Sequence, residues 1–268
     1  MAVAVATFGL TTNAHAASLE IRPTLVTDTL KLGEQKKAYV DVINPTSEKV
    51  VVSFNVQAFK QTDDNGTLQF YDDAQVKQGI QLDLQEVELL GHEAVRMYYV
   101  VDGGKLPGGD VTAAIFATIK PLTPAPAAQA VRVGTLLVIQ NGDAQRFATV
   151  TRLDAPPLQW GDELKASFAV KNMADSTTRS SFFPSVTIAT SPYGKQTVDG
   201  PLIGPGRERE IQYKKPGNYF GIMQIKVEVT GESKSTYIFA VTGFWRWLAP
   251  LLAVVIGAAI FIAKKYRK

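Results

Sequence analysis

The chain of 268 residues contains no cysteine, which excludes disulfide stapling, thiolate nucleophiles and thiolate metal ligands. Histidine is almost absent too: His15 and His92 are the only two. A structural zinc site therefore has too few ligands. A Ser-His-Asp arrangement would have to be built on His92, which sits in "LLGHEAV", a turn between strand-like runs where an imidazole is ordinarily solvated. No motif asks for a cofactor. The Gly-rich "GPGRERE" (204–210) is followed by a strand pattern rather than a helix, so it reads as a turn and not as a phosphate cradle. The acidic "TDDNGT" (62–67) lacks the regular oxygen spacing and distal Glu of a calcium loop and reads as an Asn-Gly hairpin turn. A basic face is missing as well. Net charge is +3, yet Arg246, Lys264, Lys265, Arg267 and Lys268 crowd the C-terminus, leaving 23 Lys and Arg against 25 Asp and Glu upstream. That balance argues against a nucleic-acid partner.

What the chain does have is alternation. Val40 and Val42 alternate with Tyr39 and Asp41. Val52, Phe54, Val56 and Ala58 form a second run, Val95 to Val101 a third, and Val111 to Ile119 a fourth. Period-two runs of this length, separated by turn residues, define half-buried strands. Helical patterning outside the C-terminus is confined to a turn or two in "DDAQVKQGI". Many short strands point to β-sandwiches. One pattern occurs twice: "GEQKKAYVDVIN" (33–44) aligns without gaps on "GDELKASFAVKN" (161–172). Each copy reads as a Gly-acid turn, an inward-alternating strand and a closing Asn, so the repeat predicts two domains. The Pro/Ala stretch 121–130 has the composition of a linker. The strand pattern of 131–140 beyond it would be an orphan there, so it closes the first domain instead. The fold expected is all-β, two immunoglobulin-like sandwiches over 17–140 and 146–243, joined at 141–145.

Both ends carry export signals. Residues 1–16, "MAVAVATFGLTTNAHA", end in a small-x-small pattern that suits cleavage of a signal peptide after Ala16. Residues 244–263 form an apolar segment long enough to span a bilayer. Trp245 and Trp247 stand where amphipathic rings prefer the headgroup boundary, Arg246 between them is expected to reach outward to water, and Pro250 is placed in the first turn. Lys264, Lys265, Arg267 and Lys268 in the tail 264–268 supply a positive-inside signal. The expectation is a single-pass protein with its ectodomain outside.

The layout of the first domain resembles the N-terminal domain of periplasmic pilus chaperones through "LEIRPTLV", "LGEQKKAYVDVINPT", "LLGHEAVRMYYV" and "LPGGDVTAAIFATIKP". Two such domains followed by "FWRWLAPLL" and a basic tail are similar to the WxL-interacting proteins of Gram-positive cell surfaces. That resemblance implies a bacterial cell membrane location, a first domain binding peptidoglycan and a second contacting partners or host. It also implies association with a secreted cell-surface protein. It assigns no binding residue. The chaperone resemblance offers one candidate, Arg22, which would grip a client's C-terminal carboxylate; an edge-strand Arg facing solvent is the plainer reading. Two functions stay open: a surface-anchored binding or scaffold protein that is not an enzyme, or a membrane-tethered assembly chaperone. The surfaces expected to meet partners are strand edges, the 121–130 loop and the acidic hairpin at Asp63 and Asp64.

Overall fold

The computed structural model describes residues 18–120, 131–144 and 146–266. The expected leader, the Pro/Ala loop 121–130, and the tail residues Arg267 and Lys268 fall outside the described residues.

The alternating runs are strands. The first sandwich comprises β1 (Glu20–Arg22), β2 (Leu25–Leu30), β3 (Gln35–Ile43), β4 (Val50–Gln61), β5 (Leu68–Tyr71), β6 (Ile80–Leu82), β7 (Glu86–Leu89), β8 (Ala94–Asp102), β9 (Gly109–Lys120) and β10 (Arg132–Asn141). One sheet runs β1-β3-β8-β6; the other runs β2-β10-β9-β4-β5, with β7 beside β4. The strand after the Pro/Ala stretch, β10, pairs antiparallel with β9 and parallel with β2. Helix α1 (Ala74–Gly79) is started by Asp73, whose carboxylate accepts from the N–H groups of Gln75 and Val76.

The second sandwich comprises β11 (Ala148–Asp154), β12 (Leu158–Gly161), β13 (Glu163–Asn172), β14 (Ser185–Ser191), β15 (Gly194–Asp199), β16 (Glu208–Pro216), β17 (Phe220–Val229) and β18 (Glu232–Thr242). Its sheets run β11-β13-β16 and β12-β18-β17-β14-β15, which repeats the first unit's connectivity. In both units the first strand is split between sheets. Its leading half pairs antiparallel with the repeat strand (β1 with β3, β11 with β13), and its trailing half pairs parallel with the last strand (β2 with β10, β12 with β18). Pro23 in one unit and Pro156-Pro157 in the other occupy the break, where a residue without an N–H forfeits no ladder bond. Each unit closes its own core. Val40, Val42, Met97, Ile115 and Leu137 are buried in the first, and Leu164, Phe168, Val170, Ile188 and Ile225 in the second.

The twelve-residue repeat is β3 and β13. Its closing Asn does the same work twice. Asn44 Nδ2 donates to the carbonyls of Glu48 (2.7 Å) and Leu90 (2.9 Å), while Oδ1 accepts from the Thr46 N–H (3.1 Å). Asn172 Nδ2 donates to the carbonyls of Ser180 (2.7 Å) and Ile203 (3.2 Å), while Oδ1 accepts from the Ala174 N–H (2.9 Å). Side-chain amides thus hold together loops that no ladder reaches. The opening of the repeat is not shared. Gly33 is a left-handed turn residue (φ +81), but Gly161 ends strand β12 opposite Thr242, so the Gly-acid turn exists only in the first copy.

Helix α2 (Trp245–Tyr266) has 22 residues, about 33 Å at 1.5 Å per residue, and is long and apolar enough to cross a membrane. Its start differs from expectation in two ways. Pro250 lies in the second turn, so the Arg246 carbonyl loses its helical donor. Arg246 does not reach out to water alone: its Nη1 bonds Asp162 Oδ2 on the second sandwich at 2.7 Å.

Candidate functional site

The two sandwiches meet across a junction made by residues that sequence patterning did not single out. Arg146 Nη2 donates to Asp110 Oδ1 at 2.7 Å, and the Asp110 side chain is fully buried. Among the described residues, Asp110 Oδ2 and Arg146 Nε find no hydrogen-bond partner. A buried pair with unmet hydrogen bonds contributes little net stability, yet losing one partner strands the other charge. Beside it, the Asp110 N–H donates to the Arg179 carbonyl (2.9 Å). Gly109 allows this approach: it has φ +93, and a Cβ there would stand 2.7 Å from the same carbonyl oxygen.

Apolar packing completes the junction. Phe59, Ala114, Phe116 and Val138, on the outer face of the larger first-unit sheet, are buried beneath Phe183 and Leu202 of the second unit. The acidic hairpin is also engaged. Asp64 Oδ1 accepts from the Glu208 N–H (3.0 Å), and Gln61 Oε1 accepts from the Gly204 N–H (2.8 Å). Asp63 accepts from the Thr67 hydroxyl, which chiefly holds its carboxyl below the usual range, and from the N–H groups of Thr67 and Asn65. The hairpin therefore braces the second sandwich instead of standing free for a partner.

Beside the junction opens a cleft of about 740 Å³, walled by Leu25, Thr27 and Thr29 of β2, by Val138 and by Phe182 and Phe183. β2 is the outermost strand of its sheet. The carbonyls of Thr24 and Leu30 accept from the N–H groups of Leu136 and Gly142, so the backbone groups of Leu25, Thr27 and Thr29 point away from β10, off the sheet. The Thr29 N–H is taken by Asp28 Oδ1 (2.9 Å), and Asp28 is held by Lys36 Nζ (2.7 Å). The N–H groups of Leu25 and Thr27 lie along this outer edge, on the side where β2 has no neighbouring strand.

A second surface is the outer face of β3 and β8. Tyr39 and Tyr98 are exposed and meet edge-to-face at 6.1 Å, with Arg96 over Tyr39 and Lys37 over Tyr98. Arg96 forks onto Asp41 (2.8 and 3.1 Å), and that hydrogen bonding keeps the Asp41 carboxyl below its ordinary range.

Of the residues singled out from sequence, Arg22 is exposed on β1, bound to Glu20 Oε1 through Nε (2.7 Å), and does not line the cleft. Trp245, Arg246 and Trp247 open α2, and Lys264 and Lys265 lie in its last turns. His92 is exposed in a left-handed turn (φ +63), its N–H donating to the Thr46 carbonyl. Among the described residues, no group of three His, Asp or Glu side chains could hold a metal ion. Arg146 and the Phe182-Phe183 pair were missed. The doublet "FFP" after a polar loop was the one available hint.

No family model matches the chain and no curated protein matches it. Solved structures do. The chaperone–tip adhesin complex of CFA/I fimbriae biogenesis is 11% identical, covering 83% of this chain and 99% of that chain, with a TM-score of 0.43. The CsuC–CsuE chaperone–tip pre-assembly complex of Acinetobacter baumannii pili is 11% identical over 84% of this chain and 100% of that chain, at 0.42. The E. coli chaperone DraB is 16% identical over 85% and 97%, at 0.39.

Proposed function

We propose that this chain is a membrane-anchored binding protein of the bacterial cell surface. In this reading α2 crosses the membrane once, the sandwiches stand outside and the basic tail lies inside. The observation that carries it is the open β2 edge beside the aromatic wall of the interdomain cleft. An extended segment of a secreted surface protein would add as a strand there: main-chain hydrogen bonds to Leu25 and Thr27 supply affinity, and alternate side chains entering the cleft beside Phe182 and Phe183 supply selectivity. Cell-wall glycan is the other ligand of this reading, meeting the exposed face where Tyr39 and Tyr98 stand beside Arg96 and Lys37. No step of the reading is catalytic.

Thr27→Pro tests the edge. It removes an outward N–H without touching a bond to β10, a change that edge strands tolerate. The detergent-solubilised full chain should then lose about tenfold in affinity for the secreted surface proteins it retains, roughly one good hydrogen bond's worth. Binding that survives Thr27→Pro in a folded protein refutes strand addition. Turnover of a substrate that disappears with His92→Ala refutes the non-catalytic reading.

A further inference from the structure

One feature of the second sandwich takes no part in the cleft, in the β2 edge or in spanning the membrane. The outer face of its larger sheet carries Leu158 and Trp160 on β12, Phe239 on β18, and Phe220 and Ile222 on β17, all exposed, Ile222 at 76%. Scattered apolar residues at a surface are ordinary, but a contiguous patch of this kind marks a contact site.

Three observations identify what covers it. The first is a gradient. Nearest α2 the cross-strand rows are Trp160·Val241·Phe220 and Leu158·Phe239·Ile222. Moving away along the strands, the rows become Tyr237·Gln224, then Ser235·Lys226, then Ser233·Glu228. Polarity thus rises from hydrocarbon-like through an aromatic-amide row to charge, over about 14 Å between Val241 and Tyr237 and as much again beyond it. A protein partner has no reason to impose that order along one axis. A bilayer interface does, with Trp and Tyr at headgroup level.

The second observation is the attachment. β18 ends at Thr242 and α2 begins at Trp245, with only Gly243 and Phe244 between. The Gly243 N–H donates to the Gly161 carbonyl (2.9 Å), the Phe244 N–H donates to Asn218 Oδ1 (2.9 Å), and Arg246 is bridged to Asp162. The Trp245 ring packs on Phe220 at 4.9 Å, so the patch is continuous with the first turn of the helix. The third is the repeat. The equivalent face of the first sandwich is covered in part by the next module along the chain, through Phe183 and Leu202, and in part by its own Leu68, Phe70 and Arg132. The next module after the second sandwich is α2.

We infer that this face of the second sandwich rests in the outer interface of the membrane that α2 spans, with the Tyr237 row at headgroup level and the Lys226 row in water. The inference rests on the reading of α2 as a membrane anchor. The second sandwich is then held at one orientation to the membrane.

Tryptophan quenching by lipids with brominated acyl chains tests this on the full chain in vesicles, at one chain or fewer per vesicle. Trp245→Phe/Trp247→Phe leaves Trp160 as the only reporter, and Trp160→Phe/Trp245→Phe leaves Trp247 as the anchor control. Trp160 should be quenched to within about twofold of Trp247, as an interfacial ring is. If Trp247 is quenched and Trp160 is not, the anchor stands and this inference falls. That outcome covers a protein partner or a second copy as the true occupant. If neither is quenched, both fall. Because the chain has no cysteine, a polarity-sensitive dye can also be placed singly. On Ile222→Cys its emission should shift blue when the chain enters vesicles, and on Ser233→Cys it should not. Equal behaviour at the two positions overturns the gradient argument.

Discussion

The repeated asparagine predicts unequal consequences for the same substitution in the two sandwiches. Asn172→Ala removes three hydrogen bonds and leaves the Ser180 and Ile203 carbonyls and the Ala174 N–H without their amide partner. Each buried polar group left unmet costs about 1–3 kcal/mol. The Ile203 carbonyl keeps a second donor, the Phe182 N–H at 3.3 Å, which lowers its share. The total is about 3 kcal/mol. Around Asn44 four bonds lie at partly buried positions, the fourth from the Thr46 hydroxyl to Oδ1 (2.7 Å), and once released that hydroxyl can serve the Glu48 carbonyl, 3.4 Å away. Water can enter there, so Asn44→Ala should cost about half as much. For a unit near 100 residues these losses lower the melting temperature by about 15 °C and 7 °C respectively. Scanning calorimetry of the detergent-solubilised chain measures them, and amide exchange assigns each loss to its own sandwich. If Asn44→Ala proves the more damaging, or Asn172→Ala costs under about 1 kcal/mol, carbonyl bracing is not why the pattern occurs twice.

Arg146→Met should cost about 3 kcal/mol at the junction by stranding the buried Asp110, whereas Asp110→Leu/Arg146→Met should recover most of that loss; a double-mutant cycle in which the second change adds to the first would refute the pairing. Protease added to intact cells should digest the sandwiches and spare an epitope placed after Lys268, and the opposite pattern would invert the proposed topology.

The fold was legible because its determinants are local. Val40 against Tyr39, or Ile115 against Thr118, states a strand and its inward face within a few residues. The two-domain plan followed from Asn44 and Asn172, whose spacing from their strands survives although Gly161 adopted a role different from Gly33. The junction was not legible, because its energetics depend on residues that meet only after both units have formed. Nothing near Asp110 in sequence announces Arg146, and Asp64 reads as a solvated turn until its acceptor role toward the Glu208 N–H is seen. Arg246 reads as a snorkelling cation for the same reason: Asp162 is 84 positions away.

A local signal did exist for the surfaces that become covered. In "VTAAIFATI" of β9 both parities are apolar, with Ala113 and Ile115 inward and Ala114 and Phe116 outward. A strand half-exposed to water has no use for the second set, and here the second sandwich buries it. The run "YFGIMQI" leading into β17 shows the same double parity, with Met223 and Ile225 inward and Phe220 and Ile222 outward. The second set stops at Gln224, beyond which outward positions are Lys226 and Glu228. In β9 the second set sits mid-strand, at Ala114 and Phe116 between Thr112 and Thr118, where the second sandwich packs; in β17 it is confined to one end. That end is the one joined to α2, which is the placement the proposed contact with a membrane interface requires.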